Sequence, residues 1–231
     1  KSQEEMLTYY QMYDGEHLTN LGVLWIGTQT QRANLNYAPV IQFIKYDKNG
    51  VKVKKELWDD YALNPKEIIE EIWQSIPDWK EGIEISEGIL GRKIIYHFNE
   101  NVIRELLSNA LVHKPYTTRG DIFINLYNDR LEIHNPGLLP LGVTPNNILH
   151  QSIKRNEHLS KIFFDLKLME REGSGYDKMY EIQLSEAKQP PIVEEKSDRV
   201  IVTVYNIIKS EEIIKLIENM KEQYNLNQKE I

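Results

Sequence analysis

Three stretches of the chain place side chains where chemistry could be done. In the first, Glu105 and Asn109 stand four residues apart, and His113 continues the row one turn later. On a helix, positions separated by four lie one above the other. A carboxylate, a carboxamide and an imidazole along one edge can face a cavity while the helix is held to a sheet by its other side. The plain alternative for Glu105 and Asn109 is two solvated helix residues. The second stretch is Asn135-Pro136-Gly137, either a polar group beside a turn or simply the turn closing a hairpin. The third is Gly173-Ser174-Gly175, where a loop enters a helix expected to begin near Tyr176. Glycines there let a phosphate approach backbone N–H groups at the positive end of the helix.

The elements that must position these groups can be read from periodicity. From Glu100 to His113, Val102, Ile103, Leu106, Leu107, Ala110 and Leu111 fall on one face at 100° per residue, so the stretch is an amphipathic helix capped by Asn99 or Asn101. Asp121 to Tyr127 alternates as a strand, and Arg130 to His134 returns after Asn128-Asp129, residues that tolerate the positive φ of a tight turn. Ile192-Val193 and Arg199 to Tyr205 make a second hairpin. Upstream, residues 1–14 read as helical with interleaved tyrosines that pack, and Leu18 to Gly27 reads as a buried strand. Val40 to Tyr46 and Val51 to Glu56 form a hairpin about Asn49-Gly50. Asn64-Pro65-Lys66-Glu67 opens a helix that ends at Pro77. Ile83 to Ser86 and Arg92 to Phe98 are strands around Glu87-Gly88. Ser210 caps a last amphipathic helix, and Leu226 to Glu230 begins another. The fold class is α+β, helices layered over a mixed sheet.

Taken in order, RELLSNALVHKPY, DRLEIHNPGLLPLGVTP, SIKRNEHLSKIF and LMEREGSGYDKM resemble the ATPase superfamily of gyrases, heat-shock chaperones, histidine kinases and mismatch-repair proteins, the Bergerat fold. The resemblance is closest to a divergent branch in Schlafen/AlbA-like bacterial transcriptional regulators often labelled RecG-like ATP-dependent DNA helicases. It implies a Bergerat-type two-layer sandwich over 81–207, preceded by the end of an AlbA-like linking module (1–80) and followed by a helix (208–231) toward a winged helix. It also implies ATP with Mg2+ as ligands. Glu105 matches the carboxylate that activates water, Asn109 the Mg2+ ligand, Asn135 and Gly137 the adenine-reading motif, and Gly173 and Gly175 the phosphate-binding motif. Asn135 stands where the superfamily has Asp, which puts adenine selectivity in question, since a carboxamide is neutral and can turn its NH2 end inward. The mobile lid of the superfamily corresponds to the segment with Lys154, Arg155, His158 and Lys161, and Arg155 is the preferred contact to the γ-phosphate. His113 and Lys114 are further candidates to flank the phosphates, while Glu170 and Glu172 are expected to point away.

Composition narrows the function. The 231 residues carry a net charge of −7, so no global basic field draws in a nucleic-acid backbone, and DNA contact is expected through flanking modules. There is no cysteine, hence no disulfide or thiolate metal site, which fits a cytoplasmic setting. No apolar run is long enough to span a membrane. No Gly-Lys dipeptide occurs, so the P-loop engine of a helicase is missing from this stretch. Two classes of function stay open. One is a regulator that binds ATP, with slow hydrolysis or none, to control DNA binding or homo-oligomeric assembly. The other is a degenerate, non-hydrolysing scaffold or dimerisation domain of a DNA-binding regulator.

Overall fold

A computed structural model of the chain describes residues 2–87, 91–151, 153–170 and 174–224. It is α+β, with a six-stranded mixed sheet, a separate two-stranded ribbon and eight α-helices among the described residues.

The N-terminal helix α1 (Gln3–Tyr9) starts at a capping box of Ser2 and Glu5. The apolar run after it, expected as a strand, is instead the helix α2 (Asn20–Ile26). Thr19 Oγ1 accepts from Gly22 N at 3.1 Å, which caps the first turn, and Leu21, Leu24 and Trp25 then share a face. Gly22 lets that helix press on the preceding backbone, for a Cβ there would sit 2.0 Å from the Met12 carbonyl oxygen. After α3 (Gln29–Ala33), β1 (Ile41–Tyr46) and β2 (Lys52–Trp58) form the expected hairpin, with Gly50 at φ +76° in its turn. The helix α4 (Pro65–Ser75) begins as its sequence dictates: Asn64 Oδ1 accepts from Lys66 N and Glu67 N, and Glu67 returns a bond to Asn64 N. A 3-10 turn over Pro77–Lys80 follows, carrying the fully buried Trp79.

The ribbon strands β3 (Gly82–Glu87) and β4 (Gly91–Tyr96) pair only with each other, and Gly88 of the expected turn lies outside the described residues. The helix α5 (Glu100–His113) is capped by Asn99, which accepts from Asn101 N. All six residues assigned to its apolar face are buried. The strands β5 (Ile122–Leu126) and β6 (Arg130–Pro136) form the next hairpin. Neither Asn128 nor Asp129 takes a positive φ; the turn closes with Tyr127 N donating to Arg130 O at 2.8 Å. Then come α6 (Glu157–Asp165), α7 (Ser174–Ser185), β7 (Ile192–Glu195), β8 (Arg199–Tyr205) and α8 (Glu211–Tyr224). Leu226 to Glu230, expected as a helix start, falls outside the described residues.

The sheet runs β2-β1-β5-β6-β8-β7, and β1 and β5 are its parallel pair. Residues 41–58, expected in a preceding module, thus supply two of its six strands. One cluster joins Ile41 and Phe43 of β1 to Ile122 and Ile124 of β5, to Val200 and Val202 of β8, and to the buried side of α5. Helix α5 touches α4, α6, α7 and β6 at once, so its free edge is the natural place for a site. Among the described residues, no helix is long and apolar enough to cross a membrane.

Candidate functional site

The polar edge of α5 is not solvated. Glu105 is 4% exposed, and Asn109 Nδ2 donates both to its backbone oxygen and to its Oε1, each at 2.9 Å. With the NH2 end held to Glu105, Asn109 Oδ1 is left as the free end of that amide. Glu105 Oε2 has no partner. Burial pushes the Glu105 carboxyl up to about 7, and the bond from Asn109 opposes only part of that rise. The cause of the burial is a glycine: a Cβ on Gly175 would lie 1.8 Å from Glu105 Oε1, so the carboxyl rests directly on the first turn of α7. At the other end of the row, His113 Nδ1 is buried without a partner. Burial, helped by the positive charges of Arg155 and Lys154, lowers its imidazole to about 4, so the ring is neutral at pH 7.

Facing this edge is the end of the sheet. Asn135 on β6 is 9% exposed and stands opposite Val200 of β8, while Ile133 stands opposite Val202. Asn135 Oδ1 has no partner. The bend after it does not close the β5–β6 hairpin; it carries the chain off β6 toward α6. Gly137 has φ +85°, and its N–H donates to Asp198 O at 2.9 Å. A side chain there would strike Pro115 and Arg155, so the position demands glycine twice over. Arg155 donates to Leu138 O, and Asn156 Nδ2 donates to Val112 O at 2.6 Å and Lys114 O at 2.9 Å. Neighbouring residues thus pin the segment before α6 to the Gly137 bend and to the last carbonyls of α5.

Glu105, Asn109, His113, Asn135, Gly137, Arg155 and Gly175 all line one cavity; Gly173, the remaining expected site residue, lies outside the described residues. The cavity has a volume of about 100 Å3. It is a narrow, largely apolar slot with room for several waters. Of the four lid side chains expected near phosphate, Lys154 and Arg155 line it, while His158 and Lys161 do not. Lys161 lies 3.5 Å from the Tyr9 ring centroid instead. Lys114 is also away from the cavity, buried with its Nζ 3.5 Å from Tyr37 O and 5.2 Å over the Tyr116 ring. Glu170, expected to point away, lines the slot and is held by Lys178 Nζ at 2.5 Å. Tyr176 lines it too, its buried hydroxyl pushed upward by desolvation and by Glu105. Its place directly after the Gly-Ser-Gly run was the signal that could have found it.

Among the described residues, no group of three or more His, Cys, Asp or Glu could hold a metal ion.

Residues 120–204 match the family described as "Putative ATP-dependent DNA helicase recG C-terminal". Asn135, Gly137, Arg155 and Gly175 fall inside that stretch, and Glu105 and Asn109 before it. A comparison with curated proteins finds no match. Among solved structures, the fold is similar to that of the DIP2311 protein from Corynebacterium diphtheriae, with a TM-score of 0.80 at 21% identity. That likeness covers 97% of this chain, which spans 46% of the length of the other. The match over 120–204, set in this sheet and helix layer, makes that part of the chain similar to the ATPase-like domain of the RecG C-terminal family.

Proposed function

We propose that the slot between α5, the sheet end and α7 binds ATP with Mg2+, in a divergent domain of the Bergerat type. One observation carries the reading. Three buried side-chain atoms without partners, Glu105 Oε2, His113 Nδ1 and Asn135 Oδ1, belong to residues that line the same cavity. Buried polar groups are normally paired, and unpaired ones cost about 1–3 kcal/mol each. A ligand bearing an amino group, bound water and a phosphate chain satisfies them together. Apolar Ile133, Val200 and Val202 offer a floor for the base. Lys154 and Arg155 supply positive charge for phosphate, and Asn109 Oδ1 is the side-chain oxygen that would hold Mg2+. The ion would offset phosphate charge.

Glu105 is the group suited to orient and deprotonate an attacking water. Its carboxyl titrates near 7, where a general base works best, and its Oε2 is uncommitted. The slot as it stands is too narrow for a nucleotide, so entry requires the wall that carries Leu138 and Arg155, or the start of α7, to move. In the fuller reading, that movement is the signal passed to DNA-contacting modules of a transcriptional regulator, within cytoplasmic homo-oligomers.

A second reading is favoured by one contact. The Glu105 carboxyl sits on the first turn of α7, the positive end at which a phosphate would be held, and so competes with it. A scaffold that has lost nucleotide would keep such a contact. Titration calorimetry with Mg-ATP separates the two. Wild type should give heat, Asn109→Ala should weaken binding, and Glu105→Ala should bind yet lose about 100-fold or more in any turnover. No heat at millimolar nucleotide removes the first reading.

A further inference from the structure

The floor of the slot has one polar group among aliphatic ones. Asn135 shares its sheet face with Ile133, Val200 and Val202, all lining the cavity, so a flat base lying there meets the carboxamide. A carboxylate in that place would offer acceptors alone and would select a base edge that donates. A carboxamide offers an acceptor and a donor of nearly the same shape. They exchange by a half-turn about the last side-chain torsion, which is broad and close to two-fold. In most buried sites a protein hydrogen bond fixes that choice. Here Oδ1 is buried and unpartnered, and no hydrogen bond among the described residues settles which end faces the slot.

Resting on the nucleotide reading above, we propose that Asn135 makes this a dual purine site: its amide presents oxygen to a 6-amino purine and NH2 to a 6-oxo purine, so both classes of nucleoside triphosphate are taken. The difference from a fixed reader is large. A site built to pair one polar group rejects the wrong partner strongly because its own buried group is left unpaired. A side chain that turns can meet either base edge, and its other end then sits in the same unpartnered place, so the cost of the turn is similar in both cases.

The test uses ATP and inosine triphosphate, which differ at the six-position and the adjoining ring nitrogen, titrated with Mg2+ into the whole chain. Wild type should bind the two within about tenfold of each other. The near-isosteric Asn135→Asp should shift the ratio toward ATP by about tenfold or more, since a carboxylate accepts from a 6-amino group but repels a 6-oxo oxygen, a loss that a bond from the adjoining ring N–H of inosine offsets only in part. A wild-type preference beyond tenfold for either nucleotide overturns the proposal, as does an unchanged ratio in a folded Asn135→Asp. Should that variant fail to fold, the wild-type ratio decides alone. If wild type binds ATP but rejects inosine triphosphate, the dual reading fails and the nucleotide site stands; if it binds neither, both fall.

Discussion

A single carboxyl group sets much of the behaviour of the site. Glu105 takes up its proton near pH 7 in the folded chain against about 4.5 for an ordinary glutamate, because α7 covers it. Between those values the folded state holds a proton that the unfolded state has released, so stability falls as pH rises through that window. The full effect is at most about 3.5 kcal/mol, at roughly 1.4 kcal/mol per pH unit. Glu105→Gln should therefore equal wild type near about pH 4 and exceed it in urea stability near about pH 8. A variant whose stability falls as steeply as wild type across that window would refute the assignment. His113 works in the opposite sense, its stabilising contribution present above about 6.5 and lost as pH falls through about 4. The spacing of Glu105 and Asn109 was plain in the sequence. Their sealing was not, because it depends on a glycine in a helix far along the chain, and periodicity reports only which face of a helix is apolar.

At the level of elements, what the sequence made legible depended on how each segment is stabilised. Helix α5 and α4 carry their own caps and long apolar faces, and both stand where their residues place them. Helix α2 was misread because seven apolar-rich residues fit a buried strand as well as two turns of helix, and its Thr19 cap is short-range. The segment before α6 has no periodicity at all and is fixed by side chains. Asn156 gives up capping its own helix to donate to Val112 O and Lys114 O. Asn156→Ala should leave those α5 carbonyls short of donors and cost about 1–3 kcal/mol. The check is a lowered denaturation midpoint with an unchanged slope. An unaltered midpoint would mean that water replaces the carboxamide at no cost.

For the molecule as a whole, composition described the class well and the division of the chain poorly. A reading by resemblance set a boundary near residue 80, yet β1 pairs with β5 in register from Ile41↔Ile122 to Lys45↔Leu126. Such non-local parallel pairing leaves no mark on the sequence of either strand. Removing residues 2–80 would open the β5 edge and strip Ile41, Phe43, Ile72 and Trp79 from the core around α5. The remaining piece should show no cooperative unfolding transition by calorimetry or near-ultraviolet circular dichroism. A sharp two-state transition in it would prove the piece an independent unit.

The N-terminal helix is tied to α6 at two points: Lys161 lies over the Tyr9 ring, and Tyr10 donates to Asp165 Oδ2 at 2.8 Å. The loop leading into α6 bears Arg155, which reaches the slot, so α1 and the slot wall form a linkage with α6 as its rod. Any swing of α6 must drag α1 with it or tear both ties. A spectroscopic label on Met6 would then register traffic through a pocket it never touches.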